Sequence, residues 1–322
     1  MIVHHVPPER LMPADAAQDF RAVFKELTAR ERDVFEDLVR SAGQGAQRVG
    51  RHWNFSAPAE VVDAGIAPLV ASGSEADRQR LRRAFVAKAC LTSVGQFSQN
   101  MPDSVLSLYP RFYARIARYL KSSEVYTYDD YSKDVRYALN MTVPAGLLEI
   151  DLESRIGPKL VLRNLKTIAG VPPALSWLRH RAWGTWYNDH LDLRGEPDFT
   201  PRGWTGFFQR AAEMLELNRH IRGVQGVGWL YDPALARVSP HLAYIRKTQV
   251  ENGAFLIRIG QGEEHTRRAT LTSQTRRRLV EAGEYLPACY VLAWPRESLI
   301  AWANKVKRQP AFGFGGQSPQ DA

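Results

Sequence analysis

The chain has 322 residues, 44% hydrophobic and 24% charged, a balance that excludes a largely disordered or fibrous protein. Basic residues outnumber acidic ones 43 to 34, for a net charge of +9, which favours anionic partners. The two cysteines, Cys90 and Cys289, lie far apart in the chain and match no metal or redox spacing, which argues against a disulfide framework or a cysteine-built zinc site and for a reducing, cytoplasmic setting.

Met1 to Pro13 carries prolines and charges where a secretory apolar stretch would sit, so no signal peptide is expected. No window approaches roughly 18 continuous apolar residues, and no membrane span is expected either. Residues 1–142 read as a mainly helical domain. Phe20, Val23, Phe24, Leu27, Val34, Phe35, Leu38 and Val39 form a stripe spaced three and four apart over Asp15 to Val39, which predicts one amphipathic helix or two. Gly43, Gly45 and Gly50 are expected to end it. Glu75 to Gln96 and Asp103 to Lys121 repeat the pattern, with Pro110 placed to kink the second.

Near Pro144 the register changes. Residues 143–310 read as an α/β domain and 311–322 as a flexible tail. Gly146 to Ile150 and Lys159 to Leu165 are short, branched and apolar, and so read as strands. Beyond Trp204 strands and helices alternate: helix Gly206 to Leu217, strand Val224 to Tyr231, helix Pro240 to Val250, strand Ala254 to Ile259, helix Ser273 to Ala282, strand Cys289 to Trp294 and helix Glu297 to Val306. The fold class expected is therefore α+β, a helical N-terminal domain followed by a mixed α/β domain. Gly223, Gly226 and Gly228 mimic a nucleotide loop, but a strand follows them where a helix should open, so they read as points where a neighbouring backbone or a ligand comes close.

The densest polar cluster is Tyr187-Asn188-Asp189-His190-Leu191-Asp192-Leu193-Arg194. On a strand, His190, Asp192 and Arg194 share one face. An imidazole beside a carboxylate is the arrangement of an oriented general base, here for an attacking amine. The same alternation also reads as the wet side of a strand with Leu191 and Leu193 turned to the core. One histidine with one or two carboxylates is an incomplete metal set, and no metal is expected. Arg267, Arg268 and Arg276 to Arg278 lie close to Ser273 and Thr275; they read as a solvated helix surface or, for Arg267 or Arg268 with Ser273, as a carboxylate or phosphate pocket.

The stretch from Trp229 to Ile259, WLYDPALARVSPHLAYIRKTQVENGAFLIRI, followed by Leu279, Glu281, Gly283 and Tyr285 in the next helix and turn, resembles the central unit of the GCN5-related N-acetyltransferase (GNAT) superfamily. The resemblance implies a GNAT-like domain with a splayed gap beside the Leu230 strand. It also implies that the loop Ala236 to His241 and the helix after it face the phosphates of an acyl donor. The superfamily places glycines in that loop, whereas this chain has Ala236, Arg237, Val238, Ser239, Pro240 and His241. Contact through Arg237, Ser239 and His241, and a single-phosphate donor such as acyl carrier protein, suit it better than a backbone cradle for acyl-CoA.

On this reading the protein transfers an acyl group from acyl-CoA or acyl carrier protein to an amine and holds no permanent cofactor. His190 and Asp192 act as base and orienter, and Tyr231 and Tyr285 protonate the leaving thiolate. Arg194, Arg237, Ser239, His241, Ser273 and Arg276 contact substrate. The alternative is a non-catalytic binding or regulatory module for an anionic ligand or protein partner. Nucleic acid is not the expected partner, because no basic-aromatic motif accompanies the net charge.

Overall fold

The computed structural model describes residues 4–49, 55–70, 74–122, 124–192, 194 and 199–308, without the side chains of 43–49. Helices dominate from Pro8 to Ala138. The long apolar stripe divides into helices Ala14–Lys25 and Ala29–Val49. The second continues through Gly43 and Gly45, so these glycines do not stop it. Helix Glu75–Ser93 starts at Ser74, whose hydroxyl accepts from the Asp77 amide, and helix Tyr128–Ala138 starts in the same way at Thr127, which satisfies one otherwise orphaned N–H at each start. Pro110 lies in the first turn of helix Tyr109–Lys121, where its missing N–H costs nothing, and causes no kink. A two-stranded ribbon of β1 (His4–His5) and β2 (Gln96–Phe97) completes this part.

The rest is built on a six-stranded sheet. Its strands are β3 (Thr142–Pro144), β4 (Glu149–Ser154), β5 (Trp186–His190), β6 (Gly223–Gly228), β7 (Phe255–Gln261) and β8 (Ala288–Pro295), in the order β3-β4-β5-β6-β8-β7. All neighbours are antiparallel except β5 and β6. That parallel pair needs a crossover, supplied by helix Pro201–Leu217. Its strands register only at Tyr187↔Val224 and Asn188↔Gln225.

Three local expectations are corrected. Lys159 to Leu165 is not a strand: helix Pro158–Asn164 occupies it, with Pro158 in its first turn. Leu230 and Tyr231 are not a strand end, because β6 stops at Gly228 and a 3-10 turn, Trp229–Tyr231, follows. The stretch 229–259 therefore links β6 to β7, which are separated by β8, and is not a crossover between adjacent parallel strands. The expected loop Ala236 to His241 contains a short helix, Leu235–Val238, and a 3-10 turn, Pro240–Leu242, before helix Ala243–Glu251. The expected tail lies outside the described residues.

Side chains alternate across the sheet. Tyr187, Leu292 and Trp294 join a buried cluster that also contains Phe20, Phe35, Phe85 and Tyr113 of the helical part, so one core crosses position 142. Trp186, Val291, Ala293 and Ile257 face the other way, into a smaller cluster with Ile156, Val161 and Ala174. Burial of each large side chain contributes roughly 1.5–3 kcal/mol.

Candidate active site

Polar groups gather where β5 ends. The β4–β5 register sets Glu149 opposite His190 and Asp151 opposite Asn188, so alternation places these four on one face of the sheet, with Asp151 diagonal to His190. His190 Nε2 lies 2.6 Å from Asp151 Oδ2, and the Asn188 side-chain amide lies 2.8 Å from the same nitrogen. The Asp151 side chain is fully buried, whereas that of His190 keeps 19% of its surface exposed. Arg136 Nε donates to Asp151 Oδ1 at 3.1 Å, its Nη2 lies 3.1 Å from Oδ2, and the Thr142 hydroxyl also donates. Burial alone would push the Asp151 carboxyl up, but Arg136, His190 and Thr142 outweigh it and hold it at about 2. Asp151 is thus a fixed anion. Phe55 lies against the imidazole, ring centroids 4.7 Å apart, and under the Arg136 guanidinium at 5.1 Å.

On the opposite face the Tyr231 hydroxyl donates to Asp189 Oδ2 at 2.8 Å. Both groups reach the strip of β6 where Gly226 lacks a side chain, and a Cβ there would meet both the hydroxyl and the carboxylate. Gly226 is therefore a close-approach glycine, but two side chains come close to it and not the neighbouring backbone or ligand expected from the sequence. Burial raises the Asp189 carboxyl to about 7, against the pull of Tyr231 and His190, and burial and Asp189 raise the Tyr231 phenol well above its ordinary value.

Asp192 is not the partner of His190. The strand ends at His190, so the period-two alternation does not reach residue 192. Asp192 instead accepts from the Arg194 amide at 3.0 Å and from its Nη2 at 2.8 Å, with Arg115 Nη2 at 3.3 Å and the Tyr137 hydroxyl at 3.3 Å. Arg194 also donates to both oxygens of Asp134, at 2.8 and 3.0 Å, and lies 3.3 Å from Asp130. Burial would raise Asp192, but Arg194 and Arg115 bring it to about 2. Glu149 receives Arg115 Nη2 at 2.9 Å on one oxygen only; burial raises it to about 8. Arg194, expected to bind substrate, is bonded to three carboxylates.

The remaining expected residues form a separate corner of the molecule. The Tyr285 hydroxyl donates to Asp232 at 3.4 Å, and Asp232 also accepts from the Ala288 amide at 2.9 Å. Buried Arg276 donates through Nη1 to Ser239 Oγ at 3.0 Å and through Nε to the Ala269 carbonyl at 2.5 Å, with its guanidinium 4.7 Å from the Trp229 ring. Ser273 caps helix Gln274–Glu281 by accepting from the Arg276 amide. Arg237 donates to the Glu284 carbonyl at 3.1 Å, and His241 is exposed. These bonds tie turns to helices, and the structure does not bring the group to the His190 end of β5 as one site.

Sequence reasoning missed Asp151, Glu149, Arg136 and the role of Asp189. One signal was present: Glu149-Ile150-Asp151-Leu152 alternates acidic and apolar residues, the pattern of a strand with a polar face. Both cysteines are buried and unbridged. Among the described residues no cluster of three or more His, Cys, Asp or Glu could hold a metal, and no helix is long and apolar enough to cross a membrane.

No family model matches the chain. No curated protein matches it either. Among solved structures the fold is similar to an acyltransferase mutant in complex with octanoyl-CoA, at 12% identity and a TM-score of 0.47 over 89% of this chain and 86% of that one. An acyltransferase in complex with decanoyl-CoA and teicoplanin is similar at 12% identity and a TM-score of 0.43, over 89% and 86%. A further acyltransferase in complex with decanoyl-CoA has a TM-score of 0.41 at 12% identity, over 86% and 98%. The likeness is distant in sequence and in shape.

Proposed function

We propose that the protein is an acyltransferase of GNAT-like type in which an amine attacks an acyl thioester directly, with His190 as the base and Asp151 as its orienter. The observation that carries this reading is the His190–Asp151 pair at the end of β5, where the sheet's one parallel pair loses its register. In open α/β sheets ligands settle beyond the carboxyl ends of parallel strands where the order changes hand. The unit of strand, crossover helix and parallel strand that the sequence resemblance located at 229–259 is, on this reading, β5, helix Pro201–Leu217 and β6.

The roles follow from the geometry. Asp151 at Nε2 fixes the orientation of the ring and favours its protonated form, so the imidazole serves as the base. As the amine nitrogen bonds to the thioester carbonyl carbon, its proton passes to the imidazole; the C–S bond then breaks, and the thiolate leaves and takes up the proton held by the imidazolium. Asp151 stabilises the imidazolium without accepting its proton, since its own pKa is held low. The phosphate of acyl-CoA or of an acyl carrier protein would meet the first turn of helix Pro201–Leu217, where Thr200 already accepts from the Gly203 amide. Neither tyrosine is given a proton-donor role in this scheme: Tyr231 is buried on the opposite face of the sheet, bonded to Asp189, and Tyr285 is bonded to Asp232.

The test is mass spectrometry of purified protein incubated with acyl-CoA and acyl carrier thioesters and a panel of amines. Thioester consumption with amide product is expected, and His190→Ala should lower it by about 10²-fold or more in a variant whose circular dichroism shows it still folded. Unconsumed thioester throughout, or full activity in His190→Ala, would overturn the reading. Donor binding without turnover would favour the non-catalytic module.

A further inference from the structure

Between Arg155 and Asn188 the chain has no acidic residue, yet it carries Arg155, Lys159, Arg163, Lys166, Arg179 and Arg181. All six are exposed, and none is in an ion pair among the described residues. This stretch forms helices Pro158–Asn164 and Val171–Arg179 with a connecting turn. Its inward residues, Ile156, Val161, Ala174 and Ala182, are packed in the smaller core. The outward ones are apolar as well. Of the thirteen large apolar side chains exposed among the described residues, seven lie between Leu162 and Trp183. Ile168, at the turn joining the helices, is 91% exposed, and Leu162, Leu175 and Leu178 are each more than half exposed.

Spacing shows that this is a surface and not scatter. Val171, Leu175 and Leu178 recur four and three apart, on one side of their helix, and Leu162 is followed three residues on by Leu165, the residue that caps the other helix. Singly exposed leucines need no explanation, but an apolar set interleaved along the chain with basic residues and no acidic one does.

We propose that the helical hairpin 155–183 is a docking surface for an anionic lipid bilayer, with Ile168 and the leucines entering the headgroup boundary and the arginines and lysines meeting lipid phosphates. Charge complementarity carries the choice of occupant. Apolar side chains flanked by Lys and Arg, with no carboxylate among them, are the composition of a helix lying in a membrane interface. The apolar residues stand on outward helix faces and at a turn, and a bilayer makes no demand for a shaped groove. The surface does not depend on the chemistry assigned to His190.

The test is co-sedimentation of the full chain with vesicles of phosphatidylcholine alone and with about 30 mol % phosphatidylglycerol. Binding is expected to the anionic vesicles, to fall at about 0.5 M salt, and to drop about tenfold or more in Ile168→Asp/Leu175→Asp and in Lys166→Glu/Arg179→Glu. These positions are exposed, so melting temperatures should stay unchanged. Absence of binding to anionic vesicles, or binding indifferent to both double substitutions, would overturn the proposal. So would concentration-dependent self-association abolished by Ile168→Asp/Leu175→Asp without vesicle binding, because the surface would then join two copies of this chain.

Discussion

Tyr231 hydrogen-bonds to Asp189 over Gly226, so a residue beyond the end of β6 closes back onto the end of β5 through a space that only glycine leaves open. Gly226→Ala would drive a methyl group into both polar side chains. It is expected to lower stability by roughly 1–3 kcal/mol, as overpacking does, and chemical denaturation would measure it. Tyr231→Phe keeps the shape and removes one donor to an enclosed carboxyl, for a loss of about 1–3 kcal/mol.

Asp189 also sets a direction of pH dependence. Its folded-state value of about 7 lies above the ordinary 3.8, so the folded chain holds this proton more tightly. The contribution is full below about pH 4 and is lost as pH rises through 7. Glu149, raised from 4.5 to about 8, acts in the same sense up to that pH. The melting temperature is therefore expected to decline from about pH 4 to about 8. Asp189→Asn and Glu149→Gln should each flatten the decline, and an unchanged slope in both would contradict the assignment.

Asp151 and Asp192 act in the opposite sense. Each lies at about 2 against an ordinary 3.8, so their stabilisation is full above about pH 4 and is lost as pH falls through 2. Each contributes an order of about 2 kcal/mol over that window. A thermal scan of Asp151→Asn should show a weaker acid limb. At neutral pH the same substitution should cost roughly 3–5 kcal/mol, because Arg136 keeps its charge with its buried partner gone.

How far the sequence reveals this arrangement depends on distance along the chain. Helix Tyr109–Lys121 and strand β8 follow from local pattern, because a stripe three and four apart and an unbroken apolar run each allow one way of being buried. Helix Pro158–Asn164 was missed although Gly157-Pro158 is a helix start, because its branched apolar residues also suit a strand. His190 stands out by composition, but its partner does not: Asp151 is 39 residues away and reaches it only through the β4–β5 register, while Asp192, two residues on, looked closer and is turned toward Arg194. The crossover was misplaced for a similar reason, since Trp229-Leu230-Tyr231 is apolar enough to extend β6 yet turns out of the sheet to bring Tyr231 over Asp189.

Arg237 provides a contrast. It donates to one carbonyl at the surface, so Arg237→Ala should change stability by about 0.5 kcal/mol or less and leave the proposed thioester turnover within about twofold, whereas His190→Ala is expected to lower it by about 10²-fold or more. A large loss of donor affinity in Arg237→Ala, read as a raised KM, would move the phosphate site to that corner.

The ion pairs that bind the helices to the sheet have a consequence for any attempt to shorten this protein. Arg115 and Arg136 come from the first part of the chain and bond to Glu149, Asp151 and Asp192 in the second, while Arg194 repays the debt to Asp130 and Asp134. Severed near residue 142, each fragment would be left with counter-ions belonging to the other, and the two would be recovered in working order only by reassociation.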